Sequence, residues 1–309
     1  MFSKSPLPTQ DALRAELDLL NLSIRSIQPP RRRTHYQAVL NWLTRYQVPS
    51  EASALQQVRG LLESFQHLYA VEDLRRASQI LTIRLHTETN DELHNQLHTW
   101  GYCQAQIELY NKLLGRLDAQ CDSIFLNGLG LVHRSLGNYE AARLAYERSL
   151  ALAMQTQDTE GGKTALCNLG EIHCLSQDYP KAIDYTQQAF HLAQRLNDVS
   201  TLGTVLGNLG LIYQSMGDYR NAVECHQRYL QISQRLNDCV AAMNALIGLG
   251  IAHHELGQYS EAINFHQQSL KIALDIGDRF SQGTALGNLA VAYQFWLSQK
   301  GLLNMRKNI

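Results

Sequence analysis

In the second half of the chain, apolar residues recur three and four positions apart and then stop at short polar clusters. That spacing is one face of a helix. The segment TLGTVLGNLGLIYQSMGDYRNAVECHQRYLQISQRLND, Thr201 to Asp238, shows the unit. Leu206, Leu209, Gly210 and Tyr213 share one face of a first helix. MGDY ends it: Gly217 suits a left-handed C-terminal cap, and Asp218 is placed to cap the next helix. A second helix carries Ala222, Val223, Leu230 and Ile232 and stops at Leu-Asn-Asp. No strand-like alternation of useful length interrupts the pattern, which predicts an all-α chain.

The unit returns every forty residues. Leu129-Gly130, Leu169-Gly170, Leu209-Gly210 and Leu249-Gly250 keep the phase, and Leu289-Ala290 continues it. So do Tyr139, Tyr179, Tyr219 and Tyr259, with Ala142, Ala182, Ala222 and Ala262. Asp158, Asp198, Asp238 and Asp278 close the units and are placed to cap the helices that follow. The small residues fall where paired helices approach closely. One helix pair cannot bury both its faces, but stacked pairs bury a continuous core, so the repeat predicts a solenoid.

At these residues the chain resembles the tetratricopeptide repeat (TPR) family, whose motif reads here as Leu206, Leu209-Gly210, Tyr213, Gly217, Tyr219 and Ala222. The usual repeat has about thirty-four residues. The extra length here is assigned to the second helix and the turn between repeats. The forty-residue type is similar to repeats in bacterial, cyanobacterial-like signalling proteins and in animal spindle-orientation adaptors. The resemblance implies a right-handed superhelical solenoid of antiparallel helix pairs. It departs at Gln177, which replaces a turn glycine, and at His133, His173 and His253, which replace the first-helix Tyr. Residues 1–50 read as an N-terminal helical segment, and 51–120 as degenerate helical repeats forming a cap. Residues 121–297 read as four full repeats plus the first helix of a fifth. Residues 298–309 read as a divergent or truncated tail, because no Gly-Asp-Tyr turn follows Gln294.

Lys plus Arg is 27 and Asp plus Glu is 28, giving a net charge of −1. This balance disfavours a broad electrostatic grip on nucleic acid or anionic lipid. The dense basic run Pro29-Pro-Arg-Arg-Arg33 reads as a solvated turn. The N-terminus lacks the apolar core of a signal peptide, and no apolar run reaches membrane-spanning length. A cytoplasmic location with six reduced cysteines is the expectation.

No phosphate loop, HExxH or GxSxG motif is present. The richest His and Cys positions recur in repeat phase, so packing explains them better than a metal shell. Cys167 has no evident base beside it. The chain is therefore expected to be non-enzymatic, with no cofactor and no metal. In TPR proteins the first helices line the binding groove, which implies Asn168, Asn208, Asn288, Arg134, Gln214, His254 and Gln294 as partner-binding residues. The three asparagines share one repeat position and could form an amide ladder along a peptide backbone. With Arg134 the lone cation of this set, a mixed polar groove suits a protein or peptide segment better than a carboxylate clamp. The expected function is a protein-interaction scaffold. The alternatives are a sensor segment of a larger signalling protein, a metal-dependent enzyme, and an RNA-binding helical repeat.

Overall fold

The computed structural model describes residues 6–19, 24–49, 51–87 and 89–307, with side chains as far as residue 300. The chain divides into two compact units, residues 1–158 and 159–309. Among the described residues the regular structure is helical apart from one isolated bridge between Arg84 and Glu92.

The first unit begins with α1 (Gln10–Glu16), a 3-10 turn (Ile24–Ser26) and α2 (Pro30–Thr44). The proline of the basic run opens α2, where its missing N–H costs no hydrogen bond. Next come α3 (Ala54–Gln57), α4 (Arg59–Ala70), α5 (Leu74–Thr82), α6 (Leu93–Thr99) and α7 (Cys103–Leu113). The unit closes with α8 (Ala119–Ser135) and α9 (Tyr139–Thr156). Its interior is made of large side chains: Leu61, Phe65, Leu68, Ile80, Leu81, Leu97 and Tyr110 are all essentially inaccessible. Polar ties hold the less regular helices. Tyr36 donates to Asp73, and Arg76 bridges Asp73 at 2.8 Å and the Leu17 carbonyl at 2.8 Å. Burial alone would raise the Asp73 pKa; the bonds from Tyr36 and Arg76 outweigh it and hold the carboxyl below its ordinary value.

The second unit consists of α10 (Thr159–Leu175), α11 (Tyr179–Arg195), α12 (Val199–Ser215), α13 (Tyr219–Leu236), α14 (Cys239–Glu255), α15 (Tyr259–Ile276) and α16 (Arg279–Lys307). The turn residues do what the repeat predicts. Gly217 and Gly257 have φ of 79° and 75°, and Gln177 is held at 59° in the same left-handed region. Asp198, Asp238 and Asp278 accept the N–H groups of Thr201, Ala241 and Ser281 at 3.0, 2.9 and 3.1 Å. In the first unit Asp118 accepts from Cys121 at 2.8 Å, which carries the capping phase one step further upstream than Asp158.

The recurrent glycines set how closely each pair packs. A Cβ at Gly250 would lie 2.3 Å from Cε1 of His266. His226 is enclosed from both sides, its Cε1 2.5 Å from a Cβ at Gly210 and 2.6 Å from one at Gly248. The buried alanines Ala182, Ala222 and Ala262 keep the second helices equally slim. The motif tyrosines reach forward: the Tyr179 hydroxyl donates to the Ser215 carbonyl at 3.1 Å, and the Tyr259 ring lies 5.6 Å from that of Phe295. After Gln294 no turn forms, and α16 runs on to Lys307 as one helix.

Candidate functional site

The first helices α12 and α14 leave a cleft of about 270 Å³ between them, floored by α13. Its walls carry Asn208, Leu211 and Gln214 from α12, with Asn244, Ile247 and Ile251 from α14; His226 and Tyr229 form the floor. Gly207 and Gly248 also line it, and their missing side chains open the way to that floor. Gln214 donates to the Gly248 carbonyl at 2.7 Å and fixes one wall across the repeat junction.

The cleft lining has no formally charged side chain among Asp, Glu, Lys and Arg. His226 is 2% exposed, and neither ring nitrogen has a hydrogen-bond partner. Burial pushes its pKa down to about 4, so the ring is neutral near pH 7. Burial likewise raises the Tyr229 phenol and keeps it protonated. Along the same side, exposed aliphatic residues recur in repeat phase: Leu211 is 53%, Ile251 37% and Val291 45% exposed. Such a surface offers apolar contact and neutral amide groups, which suit an uncharged stretch of polypeptide.

Of the residues expected to bind a partner, Asn208 and Gln214 meet at this cleft. Asn168 on α10 and Asn288 on α16 are half-buried at the matching positions, but Gly248 interrupts the amide row between Asn208 and Asn288. His254 is packed rather than open, with its ring 5.2 Å from Tyr259 and 5.1 Å from Phe295, and Nδ1 3.3 Å from Glu255. Gln294 is exposed on α16. Arg134 belongs to the first unit, where it adds to burial in lowering the His98 pKa. The floor residues His226 and Tyr229, and the rim residues Asn244, Leu211 and Ile251, were absent from the sequence-based set. The readable signal was Gly207 and Gly248, small residues on successive first helices.

No group of three or more His, Cys, Asp or Glu among the described residues is arranged to hold a metal. Burial raises the thiols of Cys167 and Cys225 to about 11, which leaves them protonated and poorly nucleophilic near neutral pH. No described helix is long and apolar enough to cross a membrane.

Tandem helix pairs in a common phase define an α-helical repeat protein. The chain belongs to the tetratricopeptide repeat family, whose model matches residues 121–195 and 201–275. A search of curated proteins found no match. Among solved structures, the chain is similar to a Rap protein complexed with competence and sporulation factor. The TM-score is 0.61 and the identity 13%, over 96% of this chain and 89% of that one. It is also similar to a signal-transduction ATPase with numerous domains and a tetratricopeptide repeat sensor from Pyrococcus horikoshii. There the TM-score is 0.58 and the identity 14%, over 89% of this chain but 45% of the other. Aspartyl phosphate phosphatase F from Bacillus subtilis aligns with a TM-score of 0.55 and 13% identity, over 85% of this chain and 71% of that one. At these identities the likeness is one of fold: an all-α array of paired helices, a family generally used for protein interaction rather than catalysis.

Proposed function

We propose that this protein is a non-enzymatic adaptor of the cytoplasm. It binds a protein or peptide segment along the groove lined by its first helices. The observation that carries this reading is the uncharged cleft between α12 and α14, flanked by the in-phase aliphatics Leu211 and Ile251. An apolar side chain of the segment seats above His226 and Tyr229, while Asn208 and Asn244 on the rim serve its backbone amides. The cleft walls are helical and fixed before binding, which limits the ordering cost of association to the peptide.

The test is selection of peptides from a display library on the full chain, followed by calorimetry. Selected peptides should lose about tenfold or more in affinity on Asn208→Ala with Asn244→Ala, or on Ile251→Asp. Peptides that bind these variants as tightly as the parent chain would remove the cleft from the function. A second reading, the sensor segment of a larger signalling protein, is favoured by the likeness to the archaeal ATPase, whose repeats are described as a sensor. A longer reading frame encoding an effector domain would decide for it.

A further inference from the structure

The repeats provide an internal control for α16. In α12 the small residues Gly203, Gly207 and Gly210 face the second helix of their own pair. A Cβ at these positions would lie 3.0 Å from Ile232, 2.9 Å from Tyr229 and 2.5 Å from His226. The numbers fall along α12 as they rise along α13, so the two helices meet antiparallel. Two repeats later, Gly283, Gly287 and Ala290 hold the same places in α16. Nothing lies within 4 Å of a Cβ built at Gly283 or Gly287. Leu206 and Leu246 are 2% and 3% exposed, whereas the matching Leu286 is 55% exposed. The other side of α16 is packed: Ala285, Leu289 and Ala292 are buried, and the Trp296 indole donates to the Ser260 hydroxyl at 3.1 Å. The open side is therefore the seat of a second helix.

The sequence of α16 itself fits that seat. If two copies pair antiparallel about a two-fold axis at Ala290, Gly287 meets Tyr293 of the second copy, and Gly283 meets its Leu297. This reproduces the contacts inside the chain, where the aromatic ring of Tyr229 enters the notch at Gly207 and Ile232 the notch at Gly203. In both cases the tyrosine lies three residues beyond the central position and the glycine three residues before its counterpart. Tyr293 and Leu297 are available, at 39% and 62% exposed. Gln267 donates to the Tyr293 hydroxyl at 3.1 Å and holds the ring at the edge of this face. From Phe280 to Gln299 the helix has no charged residue, so like charges, Arg279 and Lys300 of the two copies, come near each other only at the two ends of the contact. The small N-terminal half lies opposite the large C-terminal half in both directions at once, as an isologous contact requires.

We infer that α16 is a homodimer seam: it pairs antiparallel with α16 of a second copy of this chain, with Ala290 on the two-fold axis. The seam lies on a different side of the helix from Asn288 and Val291, so it does not depend on the proposed peptide groove.

Sedimentation equilibrium of the full chain tests the seam and should show a concentration-dependent monomer–dimer equilibrium. Gly287→Leu has open space within the single chain, so helicity by circular dichroism should be unchanged while the dimer dissociation constant rises about tenfold or more. Leu297→Asp should act in the same direction. Under mild oxidation Ala290→Cys should give a disulfide-linked dimer whose tryptic map contains one peptide joined to its own copy through the substituted position. Val291→Cys should give no corresponding symmetric peptide. Monomer at every concentration up to the solubility limit would overturn the inference. So would a dimer indifferent to Gly287→Leu, or one without the symmetric cross-link. A monomer that instead binds a synthetic peptide of residues 219–237 would assign the seat to a heterologous second helix and equally overturn self-pairing.

Discussion

The helices up to Leu113 and those between Thr159 and Ile276 differ in how much of the interior is given to small and polar residues. In the first region Phe65, Leu68, Ile80, Leu97 and Tyr110 fill the interior, and each is 0% exposed. In the second, large aliphatics such as Leu169, Leu206 and Leu249 are buried too, but they stand among Ala182, Ala189, Ala222, Ala252 and Ala262, with Thr186, His226 and His266 at 0 to 2% exposure. The irregular helices are held by volume, which filling or emptying a space changes directly. The repeats are held by close approach, in which the absence of a side chain matters as much as its presence. Both interiors should fail when large residues shrink, but the second should be the more sensitive to small residues that grow.

The sharpest way to break the contrast is Phe65→Ala. A cavity left among α4 and α5 should cost about 3–5 kcal/mol. Hydrogen exchange should show amides of α4 and α5 losing protection before those of α14 and α15. Gly250→Val is the mirror experiment: the added Cβ meets His266 at 2.3 Å, and overpacking should cost about 1–3 kcal/mol in urea unfolding. Gly283→Ala should not destabilise the single chain, where nothing lies within 4 Å of the added Cβ, so any effect it has is confined to the seam with a second copy.

Acid should weaken the second interior through its histidines. Burial depresses both His226 and His266 to about 4 from the ordinary 6.5; for His266 the neighbouring His254 adds to this. A folded pKa below the unfolded one means that unfolding takes up a proton between those values. This contribution is present above pH 6.5 and declines as the pH falls toward 4, on the order of 3 kcal/mol for each histidine. The urea midpoint should fall across that window, and His226→Gln should flatten the slope whatever it does to the midpoint at pH 7. The smallest effect is a gain. Gln177 occupies a left-handed turn at φ 59°, where Gly217 and Gly257 occupy the matching turns. Gln177→Gly should raise stability by about 0.5–1 kcal/mol, seen as a higher melting temperature.

The helix pairs and their caps were legible because the local chemistry is repeated. Gly217 and Asp198 serve the same backbone need wherever the unit recurs, and sequence phase alone locates them. The site was half legible. Asn208 and Gln214 were found from first-helix register, but His226 and Tyr229 lie on the second helix, and only the depth permitted by Gly207 and Gly248 brings them to the cleft. His254 stands in register with Gln214 yet folds into a ring cluster with Tyr259 and Phe295, a contact between neighbouring repeats that phase cannot rank. Asp118 keeps the phase of the capping aspartates; its role becomes visible through the bond to the Cys121 N–H.

The capping aspartate after α11 differs from its counterparts in one respect. Asp198 caps α12 and also receives the ammonium group of Lys163, which enters from the first turns of α10 and contacts Glu160 at 2.9 Å. The Lys163 side chain is only 5% exposed, and its partnership holds the Asp198 carboxyl well below the usual carboxylate range. Matching positions elsewhere are Ser123, Gly203, Met243 and Gly283, so no other repeat has this ammonium. Both halves of the latch lie within residues 159–198. That block therefore travels as a cassette: transplanted into another array of the same period, it would bring its own lock and present an already charged cap to whichever helix comes next.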